Sequence, residues 1–177
     1  MKYNKIICYD LEMCCWNDGR TPNTGEIIEI GLAIVNLETK EIEKRGQYYV
    51  IPDHDEISEF CTELTGITPK IIHKQGRKLV DVLESVRKNF GGHKAVFASW
   101  GRDDQVLFKE CKEKGLQNPF FETLNIKTLH KLLHKNNGKY GMKRAMQAAN
   151  LEMEGRHHSG ADDAYNLARL LIHMDMF

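Results

Sequence analysis

The chain has 177 residues, 41% apolar and 28% charged, which fits one globular domain over residues 1–177 with room for a substantial core. Lys plus Arg and Asp plus Glu each total 25, so the net charge is zero. That argues against gripping long duplexes by bulk electrostatics, but not against holding a few terminal nucleotides. No apolar run reaches the roughly 20 residues a bilayer span requires. The first apolar run is broken by charge at Asp10, too early for a secretory signal, and the five cysteines form no CxxC pair. The expectation is a cytoplasmic protein with reduced thiols and no membrane association.

Taken in chain order, residues 5–12, 27–37 and 42–51 read as three strands joined by short connections, hence an antiparallel meander. Residues 57–64 and 79–90 have helical spacing and stop at Gly66 and Gly91-Gly92. A strand over 94–100 leads into a helix from about 102 to 114. Another strand follows over 120–126, then helices over 128–134, 141–150 and 161–176. Strands first, then alternating strand and helix, predict an α/β domain with a mixed sheet.

Three acidic segments stand at the ends of these elements. In Asp10-Leu11-Glu12 the carboxylates are two residues apart on one strand face, roughly 7 Å along it. Their mutual repulsion and desolvation would both be relieved by a divalent cation; a solvated strand end is the plainer alternative. Trp100-Gly101-Arg102-Asp103-Asp104 lies where a strand hands over to a helix, and either aspartate would also serve as a cap. In the segment Gly155 to Asp163, the last helix buries Ala164, Leu167, Ala168 and Leu171. Asp163 lies about 40° from Leu167 and so faces the protein body, whereas Asp162 points away. Together these segments supply the carboxylates for two-metal phosphodiester hydrolysis, and a histidine of near-neutral pKa is suited to take a proton from water.

These motifs resemble the DEDDh exonucleases, and within them the Eri-like group of enhanced-RNAi and KapD-type 3′ exonucleases. The Asp10/Glu12 pair resembles the family's first motif. Residues 57–67, including Phe60-Cys61 and Leu64-Thr65-Gly66-Ile67, are similar to the group's FCxxLTGI segment. Residues 154–163 are similar to its GRxHxGxDD segment. The likeness covers nearly the whole chain.

The resemblance implies an RNase H-like, mixed five-stranded sheet, antiparallel in its first three strands and flanked by helices. It implies 3′→5′ exonuclease activity from a free 3′-OH, on single-stranded RNA or 3′ overhangs, with release of nucleoside 5′-monophosphates. Because the family's second acid sits three residues after the glycine, the resemblance selects Asp104 over Asp103. The five-residue spacing to Asp163 selects His158 over His157 as base. Asp10, Glu12, Asp104 and Asp163 would hold two ions, Mg²⁺ or Mn²⁺ given the oxygen ligands. Met13, Leu64 and Thr65 would contact the terminal nucleotides, with core packing as their alternative role. Lys143 and Arg144 are candidates for phosphate contact. The segment before the second acid is more polar than the family pattern, which weakens base stacking there.

Two further features weigh little. His130 and His134 are one helical turn apart but lack a third ligand nearby, so they read as solvated. Cys14 and Cys15 read as small packing residues. The alternatives to an exoribonuclease are the same chemistry on single-stranded DNA, or an inactive RNA-binding protein that keeps the fold. Retention of five catalytic-type side chains opposes the latter. No protein partner follows from the sequence.

Overall fold

Alternation along residues 5–13 decides the two faces of the sheet. In the computed structural model, which describes residues 3–20, 24–91, 95–135 and 140–175, strand β1 (Lys5–Met13) sends Ile7, Tyr9 and Leu11 into one core and Ile6 and Cys8 into the other. Strands β2 (Ile27–Asn36) and β3 (Glu41–Tyr49) complete the antiparallel meander. Strand β4 (Val96–Ser99) pairs parallel to β1, and β5 (Glu122–Asn125) parallel to β4, giving the order β3-β2-β1-β4-β5. This is the mixed five-stranded sheet expected of an RNase H-like domain.

Helices cover both faces. Helix α3 (Leu79–Phe90) inserts Leu79, Val82, Leu83, Val86 and Phe90 against Tyr9, Phe97 and Leu32. Helix α4 (Asp103–Glu113) adds Leu107 and Cys111 to that core. On the other face lie α6 (Met142–Ala148) and α7 (Gly160–His173), whose Met146, Leu167, Ala168 and Leu171 pack on Cys8, Ala33, Val35 and Ala98. Helices α1 (Glu59–Thr65) and α2 (Pro69–Gln75) bury Cys61 and Ile72 against Cys14 and Ile28 beyond the end of β1. Helix α5 (Ile126–Leu133) follows β5 directly.

Several boundaries differ from the sequence expectation. The helix α2 was not anticipated, although Thr68 caps it through the Ile71 amide and Pro69 occupies its first turn. Strand β5 is shorter than 120–126 because Ile126 already opens α5, capped by Asn125. The expected limits at Gly92, Lys94 and Met176 lie outside the described residues. No helix among the described residues is long and apolar enough to cross a membrane.

Parallel pairing makes β1 and β4 end on the same side of the sheet. Carboxylates at the end of β1 and residues of the β4–α4 connection are thereby brought together, the usual place for a site in an α/β sheet.

Candidate active site

Asp10 and Glu12 share the face of β1 that α7 covers, and Asp163 enters from that helix. One carboxylate oxygen from each of Asp10, Glu12 and Asp163 lies within 4.8 Å of the others. Glu12 is 8% exposed and Asp163 4%, so the cluster is largely out of water. Among the described residues neither Asp10 nor Glu12 forms an ion pair, and the ion pair of Asp163 is with His157. Close, buried carboxylates without a compensating protein cation are the donor set that hard divalent cations take.

The structure brings Asp103 to this cluster, and not the Asp104 that the resemblance selects. Asp103 lines the same cavity as Asp10, Glu12 and Asp163, whereas Asp104 lines a separate shallow hollow with Gln105, Phe108 and Asn118. The physical reason is helix phase. Asp103 opens α4 one turn before buried Leu107, while Asp104 shares a face with Phe108, which is 59% exposed. Counting from Gly101 cannot register where the helix begins.

Packing at the start of α7 sets Asp163 in place. Glu29 of β2 stands opposite Glu12 in the ladder, and its Oε1 accepts from the Ala161 amide and from Gln47 Nε2, each at 3.0 Å. A Cβ on Gly31 would stand 1.9 Å from the Gly160 carbonyl carbon, so the helix rests directly on the β2 backbone. The preceding loop is tied down by buried Asn166, which donates to the Glu154 carbonyl at 2.8 Å and accepts its amide at 3.0 Å. Sequence reasoning missed Glu29 and Asn166. A single carboxylate inside the apolar run of residues 27–35 was the available signal for Glu29.

Both histidines reach the cluster. The His158 amide donates to Asp163 Oδ2 at 2.9 Å, and His158 adopts a left-handed backbone with φ of 64°. Such a conformation costs a non-glycine residue about 1–3 kcal/mol and is held here by the surrounding bonds. His157 Nδ1 lies 3.2 Å from Asp163 Oδ1, and the two imidazoles stack with centroids 4.1 Å apart. The structure thus brings His157 to the site as well as the His158 chosen by spacing.

The surrounding cavity, about 770 Å³, is also lined by Met13, Leu64, Trp100 and Lys143. Thr65 is not on it: its hydroxyl donates to the Cys61 carbonyl and accepts the Ile67 amide, and the residue is 3% exposed. The expected nucleotide contact by Thr65 is replaced by a structural role in the turn after α1. Arg156 Nη2 donates to the Glu63 carbonyl at 2.7 Å, joining the loop that carries the histidines to the end of α1. His130, expected in solvent, is buried between Trp100 and Tyr140, with its ring 4.2 Å from that of His134.

Burial and crowding perturb the titrations. Asp10 is pushed well above the usual carboxylate range by burial first, then by Asp103, Glu12 and Asp163. Burial, then Glu29 and Asp163, pushes Glu12 up to about 8. Asp103 is also raised by burial, against hydrogen bonds from its own amide, Ser99 and the Leu11 amide. His158 is lowered by burial and by neighbouring His157, more than Asp163 raises it. Its imidazole is therefore neutral and able to accept a proton at neutral pH. Perturbed carboxylates and a depressed histidine in one cleft mark a reactive site.

Residues 7–171 match the family model described as Exonuclease (RNase_T). "ERI1 exoribonuclease 2" of Mus musculus is 34% identical over 193 residues, an alignment covering 95% of this chain and 28% of that protein. "3′-5′ exonuclease Snipper" of Drosophila melanogaster is 29% identical over 197 residues, covering 97% of this chain and 69% of that one. The chain thus spans little more than a quarter of the length of some of the relatives it matches. The structure of the nuclease domain of 3′hExo, a DEDDh family member, bound to rAMP, superposes with a TM-score of 0.86 at 27% identity, covering 97% of this chain and 92% of that one. The carboxylate cluster at the ends of β1 and α7, the fold around it and these likenesses agree: the chain belongs to the exonuclease family, in its Eri-like DEDDh group.

Proposed function

We propose that this protein is a 3′→5′ exonuclease that shortens RNA from a free 3′-OH, releasing nucleoside 5′-monophosphates. The observation that carries this reading is the buried trio Asp10, Glu12 and Asp163 with Asp103 and two histidines on the same cavity. RNA as substrate is supported by similarity to proteins named exoribonucleases and to a structure holding rAMP. The family is metal-dependent, and Asp10, Glu12, Asp103 and Asp163 would hold the ions, two of Mg²⁺ or Mn²⁺. What a divalent pair supplies there is neutralisation of phosphate charge and a more acidic water.

The chain's own groups do the rest. His158 accepts the proton of the attacking water, and its lowered pKa keeps it free to do so. Glu29 and Asn166 hold α7 and its loop so that Asp163 stays over Asp10 and Glu12. Met13 and Leu64 offer an apolar wall for the terminal nucleoside. A second role assignment, His157 as the base, is favoured by its direct contact with Asp163.

The test uses matched 5′-labelled RNA and DNA oligonucleotides with Mg²⁺, with Mn²⁺ and with EDTA. Stepwise shortening with either metal, faster on RNA and absent with EDTA, is the expected result. Faster digestion of single-stranded DNA would reassign the substrate, and metal-independent cleavage would overturn the mechanism.

A further inference from the structure

The cavity that holds the carboxylates is not acidic throughout. Its lining also includes Lys127 and Lys131 of α5, Lys143 of α6 and Arg102 of the β4–α4 connection. Helix phase places them there. Ile126 and His130, one turn apart, are buried, so Lys127 and Lys131, each the next residue on, form a parallel row on the neighbouring face. Met142 enters the core, and Lys143 beside it reaches the cavity, whereas Arg144 does not line it. Asn125, the cap of α5, donates from Nδ2 to the Gly101 carbonyl. That bond ties the start of this lysine-bearing helix to the loop that delivers Asp103.

The charges of these four side chains are unpaired. Lys5, Lys40, Arg45, Lys109, Lys114 and Arg169 each pair with a carboxylate. Among the described residues, Lys127, Lys131, Lys143 and Arg102 form no ion pair, although four carboxylates line the same cavity. Four cations without an ion pair that line the same cavity as the carboxylates suit a polyanion held at that cleft, while the zero net charge of the chain disfavours a polyanion held over its whole surface.

We propose that Lys127 and Lys131, supported by Lys143 and Arg102, form a phosphate track that holds the backbone of a single-stranded nucleic acid upstream of its 3′ end. This track presupposes the nuclease function proposed above. It recognises phosphates rather than bases, so it contributes affinity and processive hold without sequence preference.

Binding and catalysis are measured separately to test it. Binding of a short, 5′-labelled single-stranded RNA is followed by fluorescence anisotropy on an Asp10→Asn/Glu12→Gln background, which needs no metal and leaves the probe intact. Adding Lys127→Gln/Lys131→Gln is expected to weaken binding about tenfold and to flatten the slope of log K against log salt by about 1.4, two phosphate contacts' worth. Lys127→Arg/Lys131→Arg is expected to restore both, and the distant exposed pair Lys74→Gln/Lys88→Gln to change neither. In the otherwise native protein, the lysine changes are expected to raise KM for the RNA more than they lower kcat. Unchanged RNA affinity and salt slope in Lys127→Gln/Lys131→Gln, or equal losses in the distant pair, would overturn the track. Failure of the wild type to shorten the RNA with metal present would instead count against the nuclease function, with the binding comparison still deciding the track.

Discussion

The Glu29 carboxylate accepts the Ala161 backbone amide at 3.0 Å, so a strand on one side of the site fixes the helix that brings in Asp163. Removing the carboxylate by Glu29→Ala leaves the Ala161 amide and the Gln47 side chain without their buried acceptor. A loss of about 1–3 kcal/mol in unfolding free energy is expected, together with a fall in kcat larger than any rise in KM. Glu29→Gln keeps an acceptor oxygen and relieves the charge facing Glu12, so it should stay near wild type in denaturant titrations. Equal destabilisation by both substitutions would deny the bond its positioning role.

Asp103 and Asp104 separate the geometric assignment from the spacing-based one. Asp103→Asn is expected to lower kcat by about a hundredfold or more, because a site carboxylate is lost. Asp104→Asn should cost less than about threefold, since that side chain faces a different hollow. Steady-state rates at saturating metal decide the matter, and the reverse ranking would restore Asp104.

The two histidines are distinguished by pH. His158 is lowered by burial, so its protonation, and with it the acid limb of the rate, lies below the ordinary histidine value of about 6.5. With metal saturating, kcat should fall on acidification, and His158→Ala should remove that limb with a rate loss of about a hundredfold or more. His157→Ala is expected to retain the limb and lose less. If instead His157→Ala abolishes it, the stacked partner is the base.

Metal and protons compete for the same carboxylates. The folded-state pKa of Glu12 is raised to about 8 and that of Asp10 is raised as well, so the metal-free native state binds more protons than the unfolded chain. That contribution is fully present below the unfolded pKa and is lost as pH rises through the folded one. The metal-free protein should therefore become less stable from about pH 5 to about pH 8, and added Mn²⁺ should raise Tm more at the upper end than at the lower. Thermal melts with and without EDTA measure this, and a metal shift independent of pH would contradict it.

What the sequence disclosed depends on how local each signal was. Period-two alternation in β1 put Asp10 and Glu12 on one face, and the helical stripe of α7 chose Asp163 over Asp162; both depend on one element alone. The choice between Asp103 and Asp104 depends on the residue at which α4 starts and on which side chain then faces the cavity, and motif spacing carries neither. Thr65 belongs to a motif whose other residue, Leu64, lines the cavity, yet its own hydroxyl is consumed by the turn after α1. Glu29 left only the trace of a lone carboxylate in an apolar run, and the row of Lys127 and Lys131 left none, because each acquires its meaning from a neighbour distant in the chain.

The most direct test of the central claim is the product pattern from 5′-labelled single-stranded RNA in Mg²⁺, wild type beside Asp10→Asn. A ladder that shortens one nucleotide at a time with nucleoside 5′-monophosphates released, and no shortening by Asp10→Asn, is the expected result. Internal fragments, nucleoside 3′-monophosphates, or an undiminished ladder from Asp10→Asn would contradict it.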